Sequence, residues 1–240
     1  MESVYTTLME RALEIQCQSK QKSLSRVVIA FAGPPGSGKS TIAAEVVRRI
    51  NAQTNRLTAI VLPMDGFHHS RAYLDTLPNR SEAYARRGIH WTFDAEGVLK
   101  LVKALHSSRS TSSDVILAPS FDHKSKDPVA DALRIEPKTE VVIVEGNWLL
   151  LDRDPWKQVS HYVDDTWFVD VEPSLARERV AARHIKSGIE TSWDAAIKRA
   201  EGNDLLNGEE VRRSLIRPNV IVQSLEDEKH LERETNNQSR

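Results

Sequence analysis

Apolar positions along this chain follow two alternating rhythms. Val4, Leu8, Ala12 and Ile15 recur at three- and four-residue spacing, which predicts an amphipathic helix over residues 3–20 packed on the domain surface. Arg26–Ala32 is a continuous apolar run rich in β-branched residues that ends in Gly33-Pro34-Pro35-Gly36, the pattern of a strand buried on both faces. Helical spacing returns over Lys39–Asn51 through Ile42, Val46, Val47 and Ile50, and Leu57–Met64 reads as a second strand. Arg71–Gly88 is polar and mixed, and predicts short helices and loop lying over a site. Asp94–His106 is a helix with Asp94 as its N-cap. Val115–Leu117 is a short strand ending at Pro119; Val141–Glu145 and Thr166–Val171 are buried strands. Ser174–Lys186 and Ser192–Leu206 are helices, and Asn219–Val222 is a last strand.

Strands that alternate with helices predict an α/β fold: a parallel sheet covered on both faces, three layers in all. Ligands of such sheets bind beyond the carboxyl ends of the strands. The distinctive polar residues fall there: Gly33–Ser40 after the first strand, Asp65 after the second, and Glu145 at the end of a central one. The expected organisation is an N-terminal helix over 1–22 and one domain over 23–225 with a small lid around 177–200. A polar tail over 226–240 reads as disordered or a loose helix. Ser107–Asp114 reads as a Ser/Thr-rich loop.

Charge narrows the partners. The 33 Lys and Arg residues nearly balance 34 Asp and Glu, so bulk electrostatics make no case for nucleic acid or an anionic membrane. Phosphate binding must come from local arrangement. Cys17 is the only cysteine, which rules out an intramolecular disulfide and a cysteine-based zinc site. Glu10, Arg11 and Glu14 interrupt any leader-like apolar stretch, and no run approaches the roughly 20 apolar residues of a membrane span. The expected location is cytoplasmic.

Gly33-Pro34-Pro35-Gly36-Ser37-Gly38-Lys39-Ser40 fits the phosphate-binding loop pattern G-x-x-x-x-G-K-[ST] and sits between a strand and a helix, as that chemistry requires. Its glycines let backbone N–H groups turn toward phosphates, and the following helix, with Thr41 in its first turn, adds positive partial charge. Lys39 would reach the terminal phosphates of ATP, and the Ser40 hydroxyl would serve Mg²⁺. Asp65 ends a strand where a carboxylate accepts the proton of an attacking hydroxyl, or simply caps an Asp-Gly turn. Glu145 is the one acid at the end of an apolar run, which makes Mg²⁺ its natural counter-charge. Arg179 and Arg183 share a helix face and would either close over phosphates or belong to a solvated charged surface with Arg177, His184 and Lys186. His68, His69, His90 and His123 lack metal-ligand spacing and suit a polar substrate pocket. Asp94-Ala95-Glu96-Gly97 looks like a GTPase D-x-x-G, but no N-K-x-D follows.

Together these segments resemble the uridine kinase, phosphoribulokinase and bacterial-type pantothenate kinase superfamily over roughly residues 26–225. Met64-Asp65-Gly66-Phe67-His68-His69 is similar to the pantothenate kinase M-D-G-F-x-H segment. Arg86–Asp94 resembles that family's basic-G-F-x-x-x-Y-D stretch, and Ala118-Pro119-Ser120-Phe121-Asp122-His123 matches A-P-x-[YF]-x-H. Val144-Glu145-Gly146 matches its hydrophobic-E-G, and Arg217–Val222 its closing strand. The resemblance implies that Asp65 is the catalytic base, that Glu145 helps hold Mg²⁺, that Arg179 and Arg183 feed a mobile lid, and that Phe121 and His123 touch the acceptor. The chain also departs from these families. It is shorter after Arg183 than a pantothenate kinase and lacks the aromatic and Asn residues that hold pantothenate; it also lacks the closely spaced lid arginines of a uridine kinase.

The sequence therefore predicts a single P-loop domain, monomeric or homodimeric, that transfers phosphate from ATP to a hydroxyl of a small molecule. The acceptor stays open among nucleoside, pantothenate-like and sugar alcohols. Two alternatives compete: an ATPase or nucleotide-gated regulator without a small acceptor, and a module that holds nucleotide without chemistry.

Overall fold

The structure is a computed structural model that describes residues 1–54, 58–110 and 114–225. Among these the strands are β1 (Val27–Ala32), β2 (Ala59–Pro63), β3 (Ile116–Asp122), β4 (Asp127–Ile135), β5 (Val141–Gly146), β6 (Asp165–Val171) and β7 (Val220–Ser224). The α-helices are α1 (Glu2–Gln21), α2 (Lys39–Thr54), α3 (Arg71–Asp75), α4 (Arg80–Ala85), α5 (Ala95–Ser107), α6 (Pro173–Lys186), α7 (Trp193–Arg199) and α8 (Leu205–Arg213). Five strands form one sheet in the order β2-β5-β1-β6-β7, with every pair parallel.

The chain leaves β1 toward β2 on one side and later passes from β5 across β1 to β6 on the other. That reversal puts the ligand crevice at the carboxyl end of β1.

The continuous apolar run of β1 has a direct cause. Its side chains alternate between two cores, one on each face of the sheet. Val28, Ala30 and Ala32 join a core built with α5, Trp148, Trp156 and Phe168. Val27, Ile29 and Phe31 join the other, built with Leu8 and Ala12 of α1 and Ile42 and Val46 of α2. The predicted apolar face of α1 is thus buried against the sheet.

Polar groups tie the far edge together. The side chain of Asp165 is fully buried and accepts hydrogen bonds from Arg11 Nε at 2.9 Å, Trp167 Nε1 at 2.7 Å and Asn219 Nδ2 at 2.6 Å. Burial pushes its pKa up, but these three donors and the Arg11 charge outweigh burial and hold it below the ordinary value. One carboxylate so joins α1, β6 and the approach to β7.

Three elements differ from the sequence expectation. β3 does not stop at Pro119 but runs on to Asp122. The register shifts between Ala118 and Ser120, and at such a bulge proline's missing N–H costs no ladder bond. Asp127–Ile135 was not predicted as a strand; it pairs antiparallel with β3 to form a hairpin set apart from the main sheet. Its middle residues are exposed, so no alternation of buried and solvent-facing positions marks it. The single helix expected over Ser192–Leu206 is α7, a π-helical turn over Ala200–Asp204, and α8 running on to Arg213. Leu57, part of the Ser107–Asp114 loop and the tail beyond Leu225 lie outside the described residues. No helix among the described residues is long and apolar enough to cross a membrane.

Replacing Asp165 with Ala leaves the buried Trp167 indole N–H without its partner and frees Arg11 and Asn219 to turn to water, and is expected to cost about 2 kcal/mol of stability at pH 7. Because the folded pKa is depressed, this contribution is present above the unfolded carboxylate pKa and lost as pH falls through the folded one. The gap between wild-type and variant unfolding temperatures should therefore narrow below about pH 4; a gap of constant width down to pH 3 would exclude the charge as its origin.

Candidate functional site

The loop after β1 is held by its neighbours. Gly36 has φ +79°, and a Cβ there would lie 2.7 Å from the carbonyl oxygen of Ala176 on α6, so only glycine fits. Within the loop the Ser37 amide donates to Pro34 O at 3.2 Å, and the Ile42 amide donates to Gly38 O at 2.9 Å to open α2. Gly33 and Ser37 are buried, and Pro34 and Pro35 face Gly208 of α8. Lys39, Ser40 and Thr41 stand at the N-terminus of α2, where free amides favour an anion.

Three adjacent strands bring the charged groups together. In the register of the sheet Glu145 pairs with Phe31 of β1 and with Pro63 of β2. Glu145 is 6% exposed and accepts a hydrogen bond from Ser40 Oγ at 2.9 Å. Burial raises its pKa, and the nearby Asp65 charge raises it further, against the opposing effects of Lys39 and the Ser40 hydrogen bond. Burial lowers the pKa of Lys39; Glu145, Asp65 and Asp204 oppose that shift, and Arg183 adds to it. These side chains share one electrostatic field. A hydroxyl beside a carboxylate that is costly to ionise is a hard-oxygen donor set, and it fits Mg²⁺.

Asp65 projects from a clamped 3-10 turn, Met64–Phe67. Met64 is buried against Gly146, and a Cβ on Gly66 would lie 2.2 Å from the carbonyl oxygen of Pro119 in the hairpin. The turn is thus gripped between β5 and β3, while the Asp65 side chain is 53% exposed. Beside it stand three rings: His68 lies 4.0 Å from Phe93 and 4.8 Å from Phe121, centroid to centroid. His123 meets Phe121 edge-on at 5.4 Å, and the Arg87 guanidinium lies 5.6 Å over the same ring. His68 Nδ1 is 2.9 Å from the Asp65 carbonyl oxygen and 4.0 Å from its carboxylate. Burial lowers the His68 pKa despite the Asp65 charge, so the ring is neutral at pH 7.

Of the two arginines singled out on α6, Arg179 reaches the loop and Arg183 turns to the π-helical turn. Arg179 donates to Gly36 O at 3.3 Å, Ser224 Oγ at 2.7 Å and Leu225 O at 2.9 Å. Arg183 pairs with Asp204 at 3.4 Å. Arg177 instead pairs with Glu201 at 2.6 Å.

A cavity of about 480 Å³ opens beside Gly38–Ile42, bounded by Arg179 and Arg183, with further walls from Met1, Tyr5, Ser224 and Leu225. The sequence reading missed these last four and Asp204. Tyr5 lies off the strongest apolar stripe of α1, and Asp204 sits in the π-helical turn, so no local pattern flagged either.

A parallel sheet in this order, a phosphate-binding loop after its central strand and a carboxylate at the end of each of two neighbouring strands define a P-loop kinase fold. The chain belongs to the phosphoribulokinase / uridine kinase family, whose model matches residues 28–188. It is 39% identical over 223 residues, 93% of this chain and 92% of the relative, to a Schizosaccharomyces pombe protein named "Putative uridine kinase". It is 35% identical to the ATP-dependent kinase YFH7 of Saccharomyces cerevisiae over 200 residues, 71% of this chain and 57% of YFH7. The crystal structure of YFH7 superposes with a TM-score of 0.82, covering 93% of this chain and 99% of that one at 25% identity. A D-glycerate 3-kinase from Cryptococcus neoformans shares the fold at 12% identity and a TM-score of 0.68, over 91% of this chain and 95% of that one.

Lys39→Ala removes a cation from the field of Glu145 and Asp65 at the start of α2. Lys39→Ala should weaken ATP binding, measured by calorimetry, by about 10- to 100-fold; unchanged affinity would detach the loop from nucleotide binding.

Proposed function

We propose that this protein transfers the γ-phosphoryl group of ATP to a hydroxyl of a nucleoside- or pantothenate-like small molecule, with Asp65 as the base. The observation that carries this reading is the Asp65 carboxylate, accessible to solvent yet within the field of Lys39 and Glu145 and beside the rings of His68 and Phe121. Phosphoryl transfer asks the protein mainly for positioning and charge stabilisation. Backbone N–H groups of Gly36–Thr41 hold the phosphates, while Pro34 and Pro35, which have none, shape the loop. Lys39 and Arg183 offset the negative charge of the transferring group, and Arg179 braces the loop through the Gly36 carbonyl. Ser40 and Glu145 would hold Mg²⁺, which when bound neutralises phosphate charge. Asp65 orients the acceptor hydroxyl and takes its proton as the oxygen attacks the γ-phosphorus. The bond from that phosphorus to the β–γ bridging oxygen breaks, and ADP leaves.

His68, Phe121 and His123 form the acceptor side. A neutral His68 suits this role, since it adds a hydrogen-bonding edge without a second cation beside Asp65. The names of the relatives support kinase chemistry, and the departures from uridine and pantothenate kinase patterns fit an acceptor of this chain's own.

The test is an acceptor panel coupled to ADP production. Turnover should require both ATP and one acceptor class. Asp65→Asn should lower kcat by about 10²- to 10⁴-fold while ATP affinity holds. ADP release that is equally fast with no acceptor would turn the reading to a hydrolase, and an active Asp65→Asn enzyme would remove Asp65 as the base.

A further inference from the structure

We propose that α1 builds the base-binding wall of the nucleotide cavity, with the Tyr5 ring as the surface against which the purine lies. This rests on the nucleotide reading above and adds a residue from outside the segments that carry the family resemblance.

The charged end of a nucleotide belongs at Lys39 and the α2 amides, on the side facing Glu145 and Asp65. The base must then occupy the rest of the cavity, which runs over Thr41 and Ile42 to Tyr5, Met1 and Leu225. Its volume of about 480 Å³ lies within the ordinary range for small-molecule sites. Ring-shaped bases favour aromatic and apolar walls with a cation nearby. Tyr5, Met1, Leu225 and Arg179 supply that combination.

Tyr5 is also held before any ligand arrives. The Arg49 guanidinium of α2 lies 4.9 Å over its ring. Arg49 is itself fixed by Glu2 at 2.7 Å and Glu45 at 2.6 Å. Beyond this, Leu8 and Ala12 of α1 are fully buried in the core against β1, and the Leu225 amide meets Met1 Sδ at 3.5 Å. A side chain fixed from α2, on a helix fixed to the sheet, gives up little freedom when a base stacks on it.

Calorimetry on the full chain with ATP and with tripolyphosphate, which carries the charges but no base, tests the assignment. Tyr5→Ala should weaken ATP about tenfold and leave tripolyphosphate unchanged, and Tyr5→Phe should restore ATP affinity. Leu8→Ala, which loosens α1 from the core, should lower the unfolding temperature without separating the two ligands. Equal losses for ATP and tripolyphosphate in Tyr5→Ala would overturn the proposal in favour of a purely structural helix. Unchanged ATP affinity in Tyr5→Ala beside a loss in Lys39→Ala would overturn it while the nucleotide reading stands; unchanged affinity in both variants would remove that reading as well.

Discussion

One cation within the field of two carboxylates, Lys39 with Glu145 and Asp65, organises this molecule. Lys39 opens α2 beyond β1, Glu145 ends β5 and Asp65 follows β2, and these three strands lie side by side. Burial disfavours the charged forms of both Lys39 and Glu145, and each is opposed by the other's charge. The arrangement is tolerable because the ends of the strands open toward solvent and toward the α2 amides. It gives a polyphosphate with its counter-ion a ready-made electrostatic setting.

Close backbone approaches keep that setting rigid. Gly36 lets α6 come down on the loop, and Gly66 lets the hairpin come down on the turn that carries Asp65. Gly208 brings α8 against Pro34 and Pro35. Core-like packing around the site leaves few ways for the charged groups to drift apart. The α6–α8 segment carries an irregularity, the π-helical turn over Ala200–Asp204, which directs Asp204 toward both Arg183 and His184 at 3.4 Å. Such turns recur at functional sites.

The two ends of the site are built differently. Around the exposed Asp65 carboxylate stand half-buried rings and Arg87, contributed by the turn after β2, the segment before α5 and the hairpin. Beside Gly38–Ile42 lies a cavity whose far wall comes from α1 and the end of β7. Under the proposed reading, variation in the hairpin would change the acceptor while leaving the loop after β1 alone. That division suits a family whose members are named for different substrates.

The sequence by itself determined what depends on neighbours in the chain. The loop over Gly33–Ser40 was legible because its glycines and Lys39 must stand at fixed spacing between a strand and a helix. Glu145 was legible because a lone acid in an apolar run needs a reason. Asp94 was legible as a cap, and its carboxylate accepts from the Gly97 amide at 2.9 Å. β4 was not legible, since a hairpin strand exposed along its middle carries no alternating pattern. Only the tertiary structure decided that Tyr5, Leu225 and Arg179 meet around one cavity, and that Asp204 answers Arg183. These residues are far apart along the chain, and strand order and helix packing, to which local periodicity is blind, bring them together.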